Sequence, residues 1–449
     1  MHLRFLVLDN SREAARKRLR LGSRHQRQRI FWLGTPFFHH PQTTAENTLF
    51  WLSDAPGSLA PNTSVDTHSM MSPPFKLKPC IATMSLGSSD LHDLTHKIRV
   101  AACEGFRGIE LYWDDLVYDC RKDLWGDKAP EDVTNQAPKR DDLIRSARRI
   151  SKVCYQAGVE VVSLQPFRDF DGTRDGPDKD QKLKEFEELW LPCARVLGAG
   201  MIAVPATING AGKSGLPQDI VRDICSLAER AREYSISIAY EGLCFSAFVD
   251  TWQGSLRMVN RAERAAPHLA NVGIILDTFN IAGKLIPYGC KGGIEEVVRS
   301  HEAVYSSPGK LSVPKKALAE LGSRVPRSKV LLVQVADLDF ETAPSCGHAE
   351  VSKDCIRSYS RNQRLFPFES RNKSIQKDLL RAVVGRRGGE KKGDDNGQLS
   401  IGYAGWVSIE VFNKSTQAGG EGTVVEHAKR AWKSWLKMCE EMGWNGAEE

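Results

Sequence analysis

The stretch VGIILDTFNIAG, residues 272–283, decides the fold. It is a continuous apolar, β-prone run that ends on a carboxylate, Asp277. A strand without polar alternation is buried on both faces, as strands are in a parallel sheet covered by helices. Seven other runs share the pattern: CIATMSL (80–86), GIELYW (108–113), VEVVSLQPF (159–167), AGMIAVPAT (199–207), ISIAYEGL (236–243), VLLVQVAD (330–337) and WVSIEVFN (406–413).

Longer amphipathic stretches lie between the runs. In SSDLHDLTHKIRVAACEG, Ser89 or Asp90 is expected to cap a helix and Gly105 to end it. RDDLIRSARRISKVCYQAG, DKDQKLKEFEELWLPCARVLG, QDIVRDICSLAERAREY and TVVEHAKRAWKSWLKMCEEMG read as further helices. Eight strand–helix units in succession predict an α/β protein of the (β/α)₈ barrel type. An open doubly wound sheet is the alternative; it would normally have fewer strands, and no GxGxxG follows the first run.

The rhythm breaks twice, between the sixth and seventh runs and again between the seventh and eighth. The second interval holds SRNQRLFPFES and the low-complexity GRRGGEKKGDDNG. Intervals of this length are functional or disordered in compact domains. Residues 340–398 are therefore expected to form a lid-like insertion, with 385–397 mobile.

Residues 1–75 carry no sustained period and read as a disordered or spurious extension, leaving 76–449 as the catalytic domain. An organelle transit peptide is the alternative for this Arg-rich start. Ser11–Arg29 holds eight Lys/Arg and one Glu, so the chain's net charge of +6 belongs to this tail and the remainder is near neutral. That argues against a nucleic-acid partner, which would need a basic face on the folded part. No apolar run approaches the roughly 20 residues of a membrane helix. The eleven cysteines form no CxxC pair, which argues for a reduced, cytoplasmic protein.

In a barrel of this kind, chemistry sits at the C-terminal ends of the strands. The last four tips offer Glu241, Asp277, Gln334 and Glu410. One Asp at a strand end is ordinarily a turn or cap residue. Four oxygen donors on consecutive strands are a different matter: the carboxylates would repel each other unless a cation lay between them. Hard oxygen ligands suit Mg²⁺, Mn²⁺ or Co²⁺, with Zn²⁺ allowed.

LQPFRDFDG, YEGLCFSAFVDTW, LDTFNIAG, VLLVQVAD, SRNQRLF and GWVSIEVFN, in this order, resemble the motifs of xylose isomerase-like barrels, and among these the fungal 3-dehydroshikimate dehydratases of quinate catabolism. The resemblance spans roughly residues 78–442. It implies a divalent metal held by Glu241, Asp277, Gln334 and Glu410. The implied reaction is dehydration of 3-dehydroshikimate, a hydroxylated cyclic keto acid, to protocatechuate through a metal-stabilised enolate. Arg168 is expected to grip the substrate carboxylate with two hydrogen bonds, and Arg361 and Asn362 to close over the substrate. Glu241, Asn280 and Glu110 are the catalytic candidates. Bacterial members tend to carry His at the position of Asn280. A homo-oligomer is allowed.

One motif departs from the family. Where members read Tyr-Glu-Ala-Leu-Cys-Trp-Gly-Thr-His-Val-Asp-Thr-Trp, this chain has Phe245, Ser246 and, in place of the His, Phe248. Phe248 can neither bond a substrate nor move a proton. A metal-dependent sugar or cyclitol isomerase or epimerase is thus an alternative, as is a catalytically impaired barrel with a regulatory role.

Overall fold

A computed structural model describes residues 77–126, 138–285, 305–307, 310–311, 313–338, 352–370, 373–385 and 399–444. The expected extension over 1–75 and the low-complexity stretch 386–398 lie outside the described residues.

All eight runs are strands: β1 Lys78–Ala82, β2 Gly108–Tyr112, β3 Glu160–Gln165, β4 Met201–Pro205, β5 Ser237–Glu241, β6 Val272–Asp277, β7 Val330–Val335 and β8 Trp406–Ile409. Each pairs in parallel with its neighbours, and β1 closes on β8 to complete the barrel. A short antiparallel pair, Tyr305–Ser307 with Lys310–Leu311, interrupts the interval between β6 and β7; the apolar pattern gave no sign of it.

The two strand faces pack separately. Outward residues join the helices in one large core, while Cys80, Val162, Met201, Ala203, Ala239, Ile275 and Leu332 form a small apolar floor inside the barrel. Glu241, Asp277 and Gln334 each stand two residues further along the strand than a floor residue, Ala239, Ile275 and Leu332 respectively.

Two bulges adjust the register beside those tips. One lies between Ile109 and Glu110, where β3 carries Val162 as an extra residue; the other lies between Ile274 and Ile275, where β7 carries Leu331. Extra residues of this kind re-aim the side chains that follow. Each crowds a glycine: a Cβ on Gly273 would lie 2.5 Å from Leu331 Cγ, and one on Gly108 would lie 2.8 Å from Val162 Cγ2. Only glycine admits so close an approach.

The helices follow the expected stretches with two corrections. Helix α1 spans Leu94–Glu104 and starts later than expected, because its cap is Asp93, whose side chain accepts from His96 N at 2.9 Å, and not Ser89 or Asp90. Gly105 does end it. The stretch read as one helix over 178–198 is two, Pro177–Glu185 and Leu191–Leu197, joined by a wider π-type turn at Phe186–Trp190. Pro192 has no N–H for the Glu188 carbonyl four residues back. Arg140 Nε supplies that donor at 3.1 Å.

Within 340–398, the described parts are two helices, Lys353–Asn362 and Lys373–Val383, with an irregular segment between them. That segment is stitched to the strand ends. Leu365 pairs with Asp337, and Gln363 with Asn413. The Asp337 carboxylate accepts from Phe368 N at 3.0 Å and Ser370 N at 3.3 Å. No helix among the described residues is long and apolar enough to cross a membrane.

Candidate active site

Glu241, Asp277, Gln334 and Glu410 all come together, buried, at one end of the barrel. Glu241 and Asp277 are the last residues of β5 and β6; Gln334 lies in register with Asp277; Glu410 follows β8 directly. A helix over Thr278–Leu285 begins immediately after Asp277 and places Asn280 in its first turn. Asn280 Nδ2 donates to Glu241 Oε1 at 2.9 Å and to Asp277 Oδ2 at 2.7 Å, while its carbonyl accepts from Cys244 N. In this structure the Asn280 amide spends its donors on the two carboxylates rather than on the open mouth.

Glu110 reaches Gln334 from the opposite side of the barrel. Gln334 Nε2 donates to both Glu110 oxygens, at 3.2 and 3.0 Å, and to Glu410 Oε1 at 3.2 Å. Its carbonyl oxygen Oε1 is buried and has no hydrogen-bond partner.

The tips alone do not announce Arg364. Its Nη1 donates to Asp277 Oδ2 at 2.9 Å and to Glu410 Oε2 at 3.1 Å, and Ser360 Oγ accepts from its Nε and Nη2. Phe279 and Phe412 stack on the guanidinium, 4.2 and 5.0 Å away. Arg364 belongs to SRNQRLF, the motif that offered Arg361 and Asn362. Its burial comes from the stitched segment, which no apolar period marks.

The electrostatics follow from this packing. Burial pushes the Glu110 carboxyl up to about 8, with Glu410 adding to the rise. Burial also raises Glu241 well above the usual carboxylate range, and Glu410 and Asp277 reinforce it. Asp277 and Glu410 are raised by burial too, against the pull of Arg364. For Arg364 the balance is reversed: burial opposes its charge, but Asp277, Glu410 and Glu241 outweigh it, so the guanidinium stays protonated.

Arg168 lies on the loop after β3. Its Nη2 donates to the Tyr112 hydroxyl, its guanidinium stands 5.2 Å from the Tyr112 ring, and Asp114 is 3.7 Å away. The loop is anchored from below: Asp171 accepts from Thr207 N and from the Tyr240 hydroxyl, at 2.7 and 2.8 Å. Arg361 stacks on Phe412 at 4.1 Å. Burial lowers its pKa, and the positive charges of Arg168 and Arg364 lower it further. Arg168 and Arg361 therefore share one electropositive wall. Asn362 is not brought there; its Nδ2 donates back to Ser358 O at 2.8 Å on its own helix.

Phe248 packs on the loop after β4. A Cβ on Gly215 would come within 2.6 Å of its ring, and one on Gly210 within 3.0 Å. Ser246 is buried, and its hydroxyl donates to Ala206 O.

The donor types suit a hard divalent cation: three carboxylates plus an amide oxygen that no protein group satisfies. As the side chains stand, Arg364 and Asn280 occupy several of those oxygens. No group of three or more His, Cys, Asp or Glu among the described residues is already spaced to grip an ion.

The xylose isomerase-like TIM barrel family model matches residues 98–357. The 3-dehydroshikimate dehydratase of Neurospora crassa is 32% identical over 379 residues, which are 81% of this chain and 94% of that protein. The Pseudomonas aeruginosa protein of the same name is 26% identical over 75% of this chain, but the match spans only 38% of that longer protein. Among solved structures, a xylose isomerase-like TIM barrel/4-hydroxyphenylpyruvate dioxygenase fusion protein matches with a TM-score of 0.53 at 22% identity, over 82% of this chain and 43% of the fusion. IOLI protein with a binding zinc atom matches with a TM-score of 0.51 at 15% identity, over 82% of this chain and 99% of that one. The last two similarities concern the fold alone. The chain belongs to the xylose isomerase-like TIM barrel family and, within it, to the 3-dehydroshikimate dehydratases, which are hydro-lyases.

Proposed function

We propose that this protein converts 3-dehydroshikimate to protocatechuate and water with the help of a divalent metal, as a step of quinate catabolism. The observation that carries the reading is the buried ring of Glu241, Asp277, Gln334 and Glu410 facing an arginine-lined wall. Those four side chains would hold the cation. When bound, it supplies Lewis-acid stabilisation of negative charge on the substrate ketone oxygen.

The protein's own groups do the rest. Arg168 takes the substrate carboxylate with a guanidinium already oriented by Tyr112, and Arg361 adds positive charge to the same wall. The proton to be removed lies on the carbon between the ketone and the leaving hydroxyl. Loss of that proton and then of the hydroxyl as water gives a cyclic dienone; transfer of a proton from the remaining ring methylene to the ketone oxygen then completes the aromatic ring of the product. General-base catalysis needs a carboxylate within reach of that proton, and Glu241, at the tip of β5, is placed for it. Asn280 holds Glu241 and Asp277 at a fixed spacing.

The packing of Phe248 on Gly210 and Gly215 favours a second reading, a metal-dependent sugar or cyclitol isomerase or epimerase, because the family's His is replaced by a ring directed at a loop. Both readings are tested by incubating the purified protein with Mg²⁺, Mn²⁺ or Co²⁺ and 3-dehydroshikimate. Growth of protocatechuate absorbance is expected, with loss in Glu241→Ala. No product with any of these metals, together with metal-dependent solvent-proton exchange on a keto-sugar, would select the second reading.

A further inference from the structure

We propose that Phe248 is a positioning residue for Arg168: its ring props the loop after β4, and that loop holds the one that carries Arg168. The inference rests on the first of the two readings above, in which Arg168 takes the substrate carboxylate.

The loop after β4 reads GAGKSG over residues 210–215, three glycines in six residues. Glycine gives up more backbone freedom on ordering than any other residue, so such a loop needs outside support to hold one shape. Phe248 supplies it. Its ring fills the space beside Gly210 and Gly215, where added Cβ atoms would come within 3.0 and 2.6 Å of ring carbons. The backbone next to the ring is fastened to the start of the same loop: Ala247 N donates to Thr207 O at 2.9 Å, and the Ser246 hydroxyl to Ala206 O at 3.0 Å.

The supported loop then grips the Arg168 loop. Ser214 N donates to Gly172 O at 2.6 Å, and Lys213 Nζ donates to the Asp169 carbonyl and, at 3.1 Å, to Thr173 Oγ1. Lys213 lies between the two glycines on which the ring rests. Its contact bears directly on the residue after Arg168. Asp169 has a φ of 56°, in the left-handed region that is costly outside glycine and persists where neighbours enforce it. Releasing Lys213 from that carbonyl would let the Asp169 backbone relax and turn the guanidinium off its aim. An apolar ring suits the task of support, so the departure from the family motif at 248 becomes a prop for carboxylate binding.

The test combines steady-state kinetics of the full-length protein on 3-dehydroshikimate with hydrogen exchange of the same protein without substrate. Phe248→Ala should raise KM about 10-fold, the lower end for a charge-assisted hydrogen bond, with little change in kcat. Phe248→Leu keeps part of the bulk and should give a smaller rise. In an Arg168→Ala background, Phe248→Ala should raise KM no further, because the group it positions is gone. Exchange over residues 168–173 should quicken in Phe248→Ala while the barrel strands keep their protection. Full additivity with Arg168→Ala, a fall in kcat at unchanged KM, or unaltered exchange in that segment each overturns the proposal. A wild-type protein that forms no protocatechuate with Mg²⁺, Mn²⁺ or Co²⁺ would instead overturn the dehydratase reading, and the exchange result alone would then decide the role of Phe248.

Discussion

Arg364 and Asp277 form an ion pair, 2.9 Å long, with both side chains buried. Removing one partner of such a pair leaves an uncompensated charge in the interior, at a cost of about 3–5 kcal/mol. Arg364→Ala should therefore destabilise the metal-free protein by about that amount in urea unfolding. Divalent metal should stabilise this variant more than it stabilises wild type, since the cation would replace part of the missing charge. An equal metal response in the two proteins would dissociate Arg364 from the carboxylate ring.

Asp115 gives the contrasting case. Its Oδ1 lies 2.7 Å from Lys97 Nζ, both side chains are fully buried, and Thr83 donates to its other oxygen at 2.5 Å. Asp115→Ala should also cost about 3–5 kcal/mol, but Mn²⁺ affinity should stay at the wild-type value because this pair is separate from the carboxylate ring. Reduced metal affinity in this variant would show that the two buried networks are coupled.

The raised carboxylates set the pH response. In the folded, metal-free protein Glu110 holds its proton up to about pH 8, while an ordinary carboxyl releases it near 4.5. Between those values the folded state binds more protons than the unfolded chain, so the stability from this group is complete at acid pH and is lost as pH rises toward 8. Glu241 acts in the same direction. The metal-free melting temperature should fall across this window, and Mn²⁺ affinity should climb because binding expels protons. Calorimetry at several pH values would show both trends; a metal-free protein that gains stability from pH 5 to 8 would contradict the assignment.

Arg168→Ala should raise KM more than it lowers kcat. A charge-assisted hydrogen bond contributes about 1.5–3 kcal/mol, or roughly a 10–100-fold change. Steady-state kinetics on 3-dehydroshikimate would show it, and a pure kcat effect would move Arg168 from binding to chemistry.

Asp337→Ala removes the acceptor for Phe368 N and Ser370 N. Each unpaired buried N–H costs about 1–3 kcal/mol. Hydrogen exchange should rise over residues 363–370 ahead of the barrel strands, and activity should drop as Arg364 loses its seat. Unchanged exchange in that segment would show that the strand-end pairing alone holds it.

Much of this arrangement was legible in the sequence, for a definite reason. Strands buried on both faces leave no place for a casual carboxylate, so Asp277 and Glu410 stood out against their apolar neighbours. Gln334 stood out in the same way inside VLLVQVAD. Arg364 was not legible as a member of the ring, although its motif was. It sits in an irregular segment whose burial depends on Asp337, Phe412 and Asn413, residues distant in sequence. Asn362, the motif's other polar candidate, bonds its own helix instead. The late start of α1 has a similar cause: Ser89, Asp90 and Asp93 can all cap a helix, and local chemistry does not choose among them.

The order of the strands has one more consequence. The carboxylates and Gln334 come from β5 to β8, whereas Tyr112 ends β2 and Arg168 follows β3. The second half of the chain thus furnishes the charged ring and one side of the wall, Arg361, the first half the other side, Arg168 and Tyr112, and Glu110 is the strand residue that ties the halves across the barrel. A change in the loop after β3 therefore alters one side of that wall while the carboxylate ring stays in place.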